Sequence, residues 1–334
     1  MDYALTEKYQ PTEDALAFAR EKADRGDLGV IVPAGRGQVP VLFARGKGLA
    51  EAWENALFAV WCHGALVGTQ YDKPEDPPSK DCTMTMVIED PAAEPMIHRS
   101  FPGGLEDLEE YRQEVVDGIK NHWIRDPENP DDTRWEYTYN ERMMAYRVPG
   151  LDDTINQFDA MAESLADVPI TRRAQMISWQ PWMDIGIHDP ACWQSYWGRI
   201  MRDSGAEIYS DVNGQAYLNL NMRFRSRDAY KAAFMNDFAF IDLGRRLADK
   251  ISEIRGEEVR LGRFIDQSDS FHIYGSYFDE FVDSFLNLVS KRNFEDRTWR
   301  SDDPMVQTMF EEARPMIKDK VARQDANRQT QENL

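Results

Sequence analysis

Cys192 is the residue of this sequence with the clearest capacity for chemistry. It stands in the stretch DPACWQS and is one of three cysteines in 334 residues, the others being Cys62 and Cys82. A cysteine thiolate is a strong nucleophile. The odd number and unrelated spacing of the cysteines, with no Cys-x-x-Cys pair, argue against a disulfide framework or a structural zinc site. Cys192 is therefore either a nucleophile or a buried packing group, whereas packing alone is favoured for Cys62 and Cys82.

Arginines gather in two short groups on either side of this cysteine. Arg172 and Arg173 are adjacent in a predicted strand, and Arg223 and Arg225, followed by Ser226, lie in a second predicted strand. Paired guanidinium groups with a hydroxyl suit a phosphate dianion, which they bind through charge-assisted bidentate hydrogen bonds. One isolated arginine pair is more often a surface salt-bridge group. Two pairs on strands that flank a lone cysteine favour a phosphate site.

The overall charge restricts the ligands of such a site. The sequence has 39 Lys and Arg against 59 Asp and Glu, for a net charge of −20. A surface this acidic repels nucleic acid and anionic membranes at long range, so a small anionic molecule is the better candidate. The longest apolar run, residues 56–61, is too short to span a bilayer, and residues 1–10 lack the basic and apolar regions of a signal peptide. We expect a cytoplasmic protein with no membrane partner.

Hydrophobic periodicity predicts that helices and strands are intermixed along the chain. Helices are predicted over residues 11–26, 49–64, 104–123, 153–166 and 228–256. Strands are predicted within residues 28–48, 83–90, 169–181, 214–226 and 270–281, and a proline-rich loop over 70–82. The absence of a βαβ order favours an α+β fold with a mixed β-sheet layered with helices. We expect a single domain over residues 1–300, followed by a charged helix and a polar tail over 301–334.

Five segments, in order from about residue 40 to 280, together resemble the thymidylate synthase family. They are similar to the family's helix with a water-ordering glutamate, its Tyr-Gly segment, its Arg-Arg segment with a Pro-x-Cys further on, its Arg-Ser-x-Asp segment and its Asp-x-His-x-Tyr strand. In this sequence they read LAEAWENALF, YTYNERM, ITRRAQMISWQP with DPACW, RFRSRDAYKAAFMNDFAFIDL and DSFHIYGSY. One such motif would be a weak signal, but five in order with family spacing are specific.

The resemblance implies a thymidylate synthase-like fold and an obligate homodimer formed through a sheet face. It also implies one-carbon transfer to a pyrimidine nucleotide, with 5,10-methylenetetrahydrofolate as co-substrate and no metal. Cys192 would be the nucleophile that adds to C6 of the base, so that C5 can attack the one-carbon unit. Arg225 and Ser226 would bind the nucleotide phosphate together with the partner's Arg172 and Arg173. The positive charge of this pocket would also favour the thiolate.

The remaining roles fall on residues that each have a simpler interpretation as well. The resemblance implies that Glu54 and Tyr139 organise water and proton transfers, that Asn236 reads the base, that His272 and Tyr274 bind a sugar hydroxyl, and that Trp123 and Asp228 contact the folate. The simpler interpretations are a solvated helix residue for Glu54, core aromatics for Tyr139 and Trp123, and a satisfied core histidine for His272.

Departures from the family pattern leave alternatives open. Trp193 stands where the family has a histidine, and the N-terminal phosphate arginine is either Arg36 or Arg45. Asn236 implies uracil, whereas a one-residue shift to Asp237 would imply cytosine. The polar end RQTQENL does not resemble the apolar C-terminus that excludes water in the family. Hydroxymethylation of dUMP, dCMP or CMP is therefore the alternative to methylation of dUMP, and a phage-encoded enzyme of this kind would act in the host cytoplasm.

Two functions outside this family are also considered. A cysteine hydrolase would pair Cys192 with His188 or His272, but neither histidine has a recognisable acidic partner motif. A non-catalytic nucleotide-binding protein or scaffold would keep its function in a Cys192→Ser variant, whereas either enzyme would lose activity.

Overall fold

The computed structural model describes residues 8–126, 129, 132, 134–205 and 211–332. The helices are α1 (Glu13–Asp24), α2 (Leu49–His63), α3 (Leu105–Asp117), α4 (Tyr139–Met144), α5 (Gln157–Asp167), α6 (Pro181–Asp184), α7 (Ala233–Arg255), α8 (the consecutive helical segments Phe278–Glu280, Phe281–Leu286 and Asn287–Lys291) and α9 (Pro304–Glu332). The strands are β1 (Leu28–Val32), β2 (Val41–Gly46), β3 (Ala65–Val67), β4 (Ser79–Ile88), β5 (Ile97–His98), β6 (Gln175–Ile177), β7 (Trp193–Asp203), β8 (Gln215–Phe224), β9 (Arg227–Asp228), β10 (Val259–Ile273) and β11 (Thr298–Trp299).

Within the described residues, nine strands form one mixed sheet. The order is β1-β2-β4-β10-β8-β7-β6, with β3 beside β4 and β9 beside β10. β2 pairs with β4 and β10 pairs with β8 in parallel, whereas β4 pairs with β10 and β7 pairs with β8 in antiparallel fashion. The predicted α+β class with a mixed sheet is therefore confirmed. Because β10 is central, groups at its end lie close to β4 on one side and to β9 on the other.

The core lies on one face of this sheet. Successive side chains of a strand alternate between the two faces. Accordingly Leu218, Leu220, Met222 and Phe224 of β8 are buried, while the residues between them are partly or fully exposed, as the sequence pattern predicts. α2 contacts β2 and β4, α7 contacts β10, and the two helices contact each other, so both cover the same face.

Several boundaries differ from the prediction, and three of them bear on the site. β4 begins at Ser79, inside the segment predicted to be a proline-rich loop, because residues 79–81 pair with β3 and residues from Lys80 pair with β10. Arg172 and Arg173 precede β6 instead of lying on a strand, since only Gln175–Ile177 of the predicted strand pairs with β7. β10 begins well upstream of the predicted strand, where charged residues interrupt the apolar alternation.

α9 follows residue 300, continues through most of the segment predicted to be a polar tail, and packs against α3. Ala313, Ile317 and Val321 repeat every four residues and so share one face of the helix. This face buries a small cluster with Trp123 and Trp135. No helix of the described residues is long and apolar enough to cross a membrane.

Candidate active site

Cys192 lies in the turn that leads into β7, beside the end of β8. Its N–H donates to the Tyr137 hydroxyl at 3.4 Å, and its carbonyl accepts from the Arg225 N–H at 2.9 Å. Nη2 of Arg225 lies 3.5 Å from the Cys192 Sγ. The same guanidinium donates to the carbonyls of Pro190 and Ala191. Arg225 therefore both shapes the cysteine turn and brings positive charge to the sulfur.

The net environment keeps the Cys192 thiol protonated when no ligand is bound. Burial raises the pKa of Cys192, and Asp189 adds to that effect, while Arg225 and more weakly Arg227 act in the opposite direction. The expected arginine is thus next to the sulfur, but burial outweighs it. A reaction that uses this sulfur as a nucleophile must remove its proton as the ligand binds.

A cavity of about 260 Å³ opens beside this turn. Its walls are mainly aromatic and acidic, formed by Tyr111, Glu114, Trp135, Glu136, Tyr137, Thr138, Tyr139 and Asp189. Burial raises the pKa of Tyr137 and of Tyr139, so both phenols are neutral hydrogen-bond donors. The described residues contain no group of three His, Cys, Asp or Glu side chains placed to hold a metal ion.

Tyr139 is the first residue of α4 and reaches both the cavity and the core. Its ring centroid is 5.7 Å from that of Tyr137 and 6.0 Å from that of Trp193. Trp193 is fully buried against Phe240. The tryptophan after the cysteine is therefore a packing group. Tyr137, which the sequence analysis did not single out, is the tyrosine that contacts the Cys192 backbone.

Asn236 and Asp237 are adjacent in α7 but have different surroundings. Nδ2 of Asn236 hydrogen-bonds the hydroxyl of Tyr111, which lines the cavity. Asp237 is fully buried and accepts from Nη2 of Arg227 at 2.6 Å. Adjacent helical side chains diverge by about 100°, so the two point in different directions. Asn236 points towards the cavity-lining Tyr111, and Asp237 points into the core.

A buried charge network behind Asn236 was missed by the sequence analysis. Nη1 of Arg227 donates to Asp266 at 2.9 Å, and Nη2 donates to Asp237, so one cation faces two carboxyl groups. Burial raises the pKa of Asp237 to about 8 and also raises the pKa of Asp266, and the Arg227 guanidinium opposes both shifts. The guanidinium carbon of Arg227 also lies 4.0 Å from the ring centroid of Phe224. A lone aspartate within the apolar run FMNDFAF was the only sequence signal of this network.

His272 and Tyr274 face each other at the end of β10, with ring centroids 4.5 Å apart. His272 is only 6% exposed, and its Nε2 has no hydrogen-bond partner in the described part of the chain. Burial lowers the pKa of His272, so the imidazole is neutral at pH 7. Burial raises the pKa of Tyr274, and Asp228 and Cys192 contribute further, which places Tyr274 within electrostatic range of the sulfur.

Asp228 pairs in register with His272 and shapes the turn into α7. Its Oδ1 accepts from the backbone N–H groups of Tyr230 at 3.1 Å and Lys231 at 2.8 Å, and its Oδ2 accepts from the Tyr277 hydroxyl. Burial raises the pKa of Asp228. The carboxylate thus has protein partners of its own, and its contact with a folate stays a prediction.

Glu54 departs most from expectation. It is fully buried, and its two oxygens accept from Arg297 at 2.6 and 2.7 Å, while Nε2 of His98 lies 3.1 Å from one of them. Burial alone would raise the pKa of Glu54, but the hydrogen bonds with His98 and Arg297 outweigh it and lower the pKa to about 2. The interpretation as a solvated helix residue is therefore wrong. The carboxylate joins α2 to β5 and to the segment before β11, and its water-ordering role stays a prediction.

The other residues predicted to bind the phosphate differ in how accessible they are. Arg172 and Arg173 are exposed, and neither forms an ion pair with another described residue. Ser226 is half-buried between β8 and β9. Of the two N-terminal candidates, Arg45 is engaged by Glu89 at 3.4 Å, whereas Arg36 lies exposed in the turn between β1 and β2.

Trp123 stands behind the cavity wall instead of in it. Its ring is 5.2 Å from that of Trp135, nearly perpendicular, and it is buried beneath α9. Trp135 is the tryptophan that lines the cavity. Trp123 therefore supports the ring that a bound ligand would contact.

No protein-family model matches the chain. Curated relatives named "Putative thymidylate synthase" are similar to it. The protein from Methanococcoides burtonii is 26% identical over 236 residues, which is 71% of this chain and 91% of the relative. The proteins from Methanocaldococcus jannaschii and Methanosarcina barkeri are each 26% identical, over 68% and 77% of this chain and 87% and 94% of the relatives. These similarities support the resemblance to the thymidylate synthase family, and they suggest an enzyme of the transferase class.

Proposed function

We propose that the protein is a thymidylate synthase-type transferase that adds a one-carbon unit from 5,10-methylenetetrahydrofolate to C5 of dUMP and forms dTMP. One observation carries the proposal. The Cys192 sulfur lies 3.5 Å from the Arg225 guanidinium, beside a cavity with aromatic walls. The similarity to archaeal relatives named for this activity supports the same assignment.

Cys192 would begin the reaction by bonding its sulfur to C6 of uracil. The thiol proton passes to solvent as the bond forms, and the electrons of the C5–C6 double bond move towards C5 and O4. Arg225 would stabilise the developing thiolate, and the neutral phenols of Tyr137 and Tyr139 are placed to donate hydrogen bonds or hold a proton. The folate supplies the methylene carbon and, for methylation, the hydride. Loss of the C5 proton to solvent then releases tetrahydrofolate and leaves an exocyclic methylene group at C5. Hydride transfer from tetrahydrofolate to this methylene expels the Cys192 sulfur and gives dTMP and dihydrofolate.

The cavity has features that suit the folate ring system. Trp135 and the tyrosines offer flat surfaces for stacking, and Glu114 and Glu136 offer acceptors for amino and N–H groups. Since Trp123 and α9 support Trp135 from behind, this wall is held by the C-terminal part of the chain. We expect the pterin ring to lie against it, next to Cys192.

Base recognition would fall to Asn236. An amide donates to O4 of uracil and accepts from N3–H, whereas cytosine presents the opposite pattern at both positions. The alternative reader, Asp237, is committed to Arg227 in the core. This commitment supports uracil over cytosine as the substrate base.

A homodimer would complete the phosphate site. The sheet face opposite α2 and α7 carries partly exposed Trp197, Tyr217, Asn219 and Asn221, a mixture typical of a subunit interface. The indole N–H of Trp197 donates to the Arg172 carbonyl at 3.2 Å, which fixes the arginine loop at the edge of this face. We propose that Arg172 and Arg173 reach the partner's phosphate site from there.

Hydroxymethylation is the second candidate, and one observation favours it. The C-terminal segment continues as the polar helix α9 to Glu332. Once the one-carbon unit has joined C5, its exocyclic methylene accepts either hydride or water, and the exclusion of water selects methylation. The two outcomes share Cys192, Arg225 and the folate.

A covalent adduct tests the nucleophile. With 5-fluoro-dUMP and methylenetetrahydrofolate, Cys192 should form a stable ternary adduct, because the C5 fluorine cannot be removed as a cation in the way that the C5 proton is. Intact-mass measurement should show the added mass on the wild-type chain, and Cys192→Ser should show none. Cys62→Ser is the matched control and should still form the adduct. A wild-type chain that binds dUMP but forms no adduct would contradict the proposal.

The same variants separate the rival functions. Neither His188 nor His272 hydrogen-bonds the Cys192 sulfur in the described residues, so the geometry does not support a cysteine hydrolase. A scaffold would retain its binding function in Cys192→Ser. An enzyme of the proposed type would retain dUMP binding in this variant and lose turnover.

A further inference from the structure

His272 is held by a chain of hydrogen bonds that begins on the neighbouring strand. Asp81 of β4 pairs in register with His272 of β10. The Ser270 hydroxyl donates to Oδ2 of Asp81 at 2.8 Å and lies 3.1 Å from Nδ1 of His272. The pairing of β4 and β10 shifts register between Ser268 and Phe271, an irregularity of the kind that redirects side chains in strands.

The chemistry of these partners determines where the imidazole proton lies. A hydroxyl has one hydrogen, and a carboxylate can only accept, so the Ser270 hydrogen points to Asp81. The oxygen of Ser270 then accepts from His272, which requires the proton on Nδ1.

With the proton on Nδ1, Nε2 carries a lone pair. This atom is buried and has no partner within the described residues. A buried acceptor without a partner is costly unless a ligand or water supplies a hydrogen. The group that completes His272 must therefore be a donor, such as a hydroxyl.

We propose that Asp81 and Ser270 are positioning residues that hold His272 as the Nδ1–H tautomer, so that Nε2 accepts a hydrogen bond from a ligand hydroxyl. This assignment of the ligand rests on the proposed function, under which the hydroxyl is the sugar hydroxyl of the nucleotide. A sugar that carries fluorine or an ether oxygen in place of this hydroxyl has no hydrogen to donate. Two acceptors, the substituent and Nε2, would then face each other, so the site selects a free hydroxyl.

The tautomer can be measured in the free protein. With 15N-labelled histidine, the imidazole NMR pattern of His272, assigned with His272→Gln, should show protonated Nδ1 and unprotonated Nε2. Asp81→Ala should give a mixture of tautomers, because the Ser270 hydroxyl is then free to donate to Nδ1. Asp81→Asn should restore the wild-type pattern, since its amide oxygen still accepts from Ser270. Thr83→Ala, on the same strand and bonded to the Asp269 carbonyl at 2.9 Å, is the matched control and should leave the tautomer unchanged.

Ligand binding provides the second measurement. The 3′-deoxy-3′-fluoro analogue of dUMP should bind the wild-type protein about tenfold more weakly than dUMP or worse, because fluorine cannot donate to Nε2. Asp81→Ala should reduce this discrimination, and Asp81→Asn should restore it. An Nε2–H tautomer in the wild-type protein, or equal binding of dUMP and the fluoro analogue, would overturn the proposal. An Nδ1–H tautomer in a protein that binds no dUMP would instead contradict the proposed function alone.

Discussion

The reactivity of Cys192 depends on two opposing effects at a single sulfur atom. Burial disfavours the thiolate, while the Arg225 guanidinium 3.5 Å away favours it. The balance leaves a neutral thiol in the free protein. A thiol held in this form is a weak nucleophile until its proton is removed. The sequence predicted the arginine but not the extent of burial.

The Arg225 effect is testable by alkylation. Arg225→Gln should raise the pKa of Cys192 further, because it removes the nearest positive charge, and should slow modification by iodoacetamide at every pH below that pKa. Peptide mass spectrometry across a pH series would give the Cys192 midpoint separately from those of the other cysteines. Arg223→Gln is the matched control, since Arg223 is exposed and paired with Asp269. Equal midpoints in the two variants would show that Arg225 does not act on the sulfur.

At the scale of elements, buried charges connect segments that are distant in sequence. Arg227 of β9 joins Asp237 of α7 to Asp266 of β10. In the same way, the ion pair of Glu54 with Arg297 joins α2 to a residue 243 positions later. Removal of one partner from a buried ion pair typically costs about 3–5 kcal/mol, so both networks fix how the elements meet. The first network also keeps Asn236 on the cavity side of α7.

The excess carboxyl of the Arg227 network should appear in the pH dependence of stability. Burial raises the pKa of Asp237 to about 8, so the folded state binds more protons than the unfolded state between about pH 4 and 8. Stability from this group therefore falls as pH rises through that window, by up to about 1.4 kcal/mol per pH unit for one proton. Asp237→Asn should flatten this slope because it leaves one carboxylate for one guanidinium.

Urea unfolding at several pH values would measure the slope. Asp242→Asn, a half-buried position on the same helix whose carboxylate accepts from Arg112 at 3.0 Å, is the control and should keep the wild-type slope. If Asp237→Asn kept the wild-type slope as well, the proton bound in the folded state would not reside on Asp237 or Asp266.

Sequence patterns predicted the elements better than the networks between them. The alternation of β8 and the periodicity of α7 were readable because each depends on neighbouring residues. The motifs likewise indicated Cys192, Arg225 and Asn236. Arg297, the partner of Glu54, and Asp266, a partner of Arg227, could not be predicted, because the neighbouring sequence does not indicate which charges pair across the fold. Tyr137 was missed because the motif directed attention to Tyr139.

At the scale of the whole molecule, we propose that a second subunit completes the site. Arg172 and Arg173 should reach the partner's phosphate site across the sheet face that carries Trp197. Cys192→Ser and the double variant Arg172→Ala/Arg173→Ala should each be nearly inactive alone. Mixed after partial unfolding and refolding, they should regain activity, because a heterodimer contains one site with both the cysteine and the arginines. A mixture of Arg36→Ala with Cys192→Ser is the comparison. This mixture also tests Arg36 as the N-terminal arginine of the phosphate site. A monomer at micromolar concentration by sedimentation, or mixtures that stay inactive, would contradict the dimeric site.

We expect the product of the proposed reaction to depend on α9, the long helix that supports the cavity wall. Ile317 is fully buried against the Trp123 cluster, whereas its neighbour Met316 is 57% exposed. Ile317→Ala should loosen the support of Trp135, admit water to the exocyclic methylene and raise the hydroxymethyl share of the product. Met316→Ala should leave the hydroxymethyl share of the product unchanged.

Mass spectrometry of the product from dUMP and methylenetetrahydrofolate, with dihydrofolate absorbance followed in parallel, measures the ratio of methylated to hydroxymethylated product. We expect the wild-type protein to add CH2 and form dihydrofolate. Addition of CH2O with tetrahydrofolate left over would instead establish the hydroxymethylase, and the polar course of α9 would then be its physical cause.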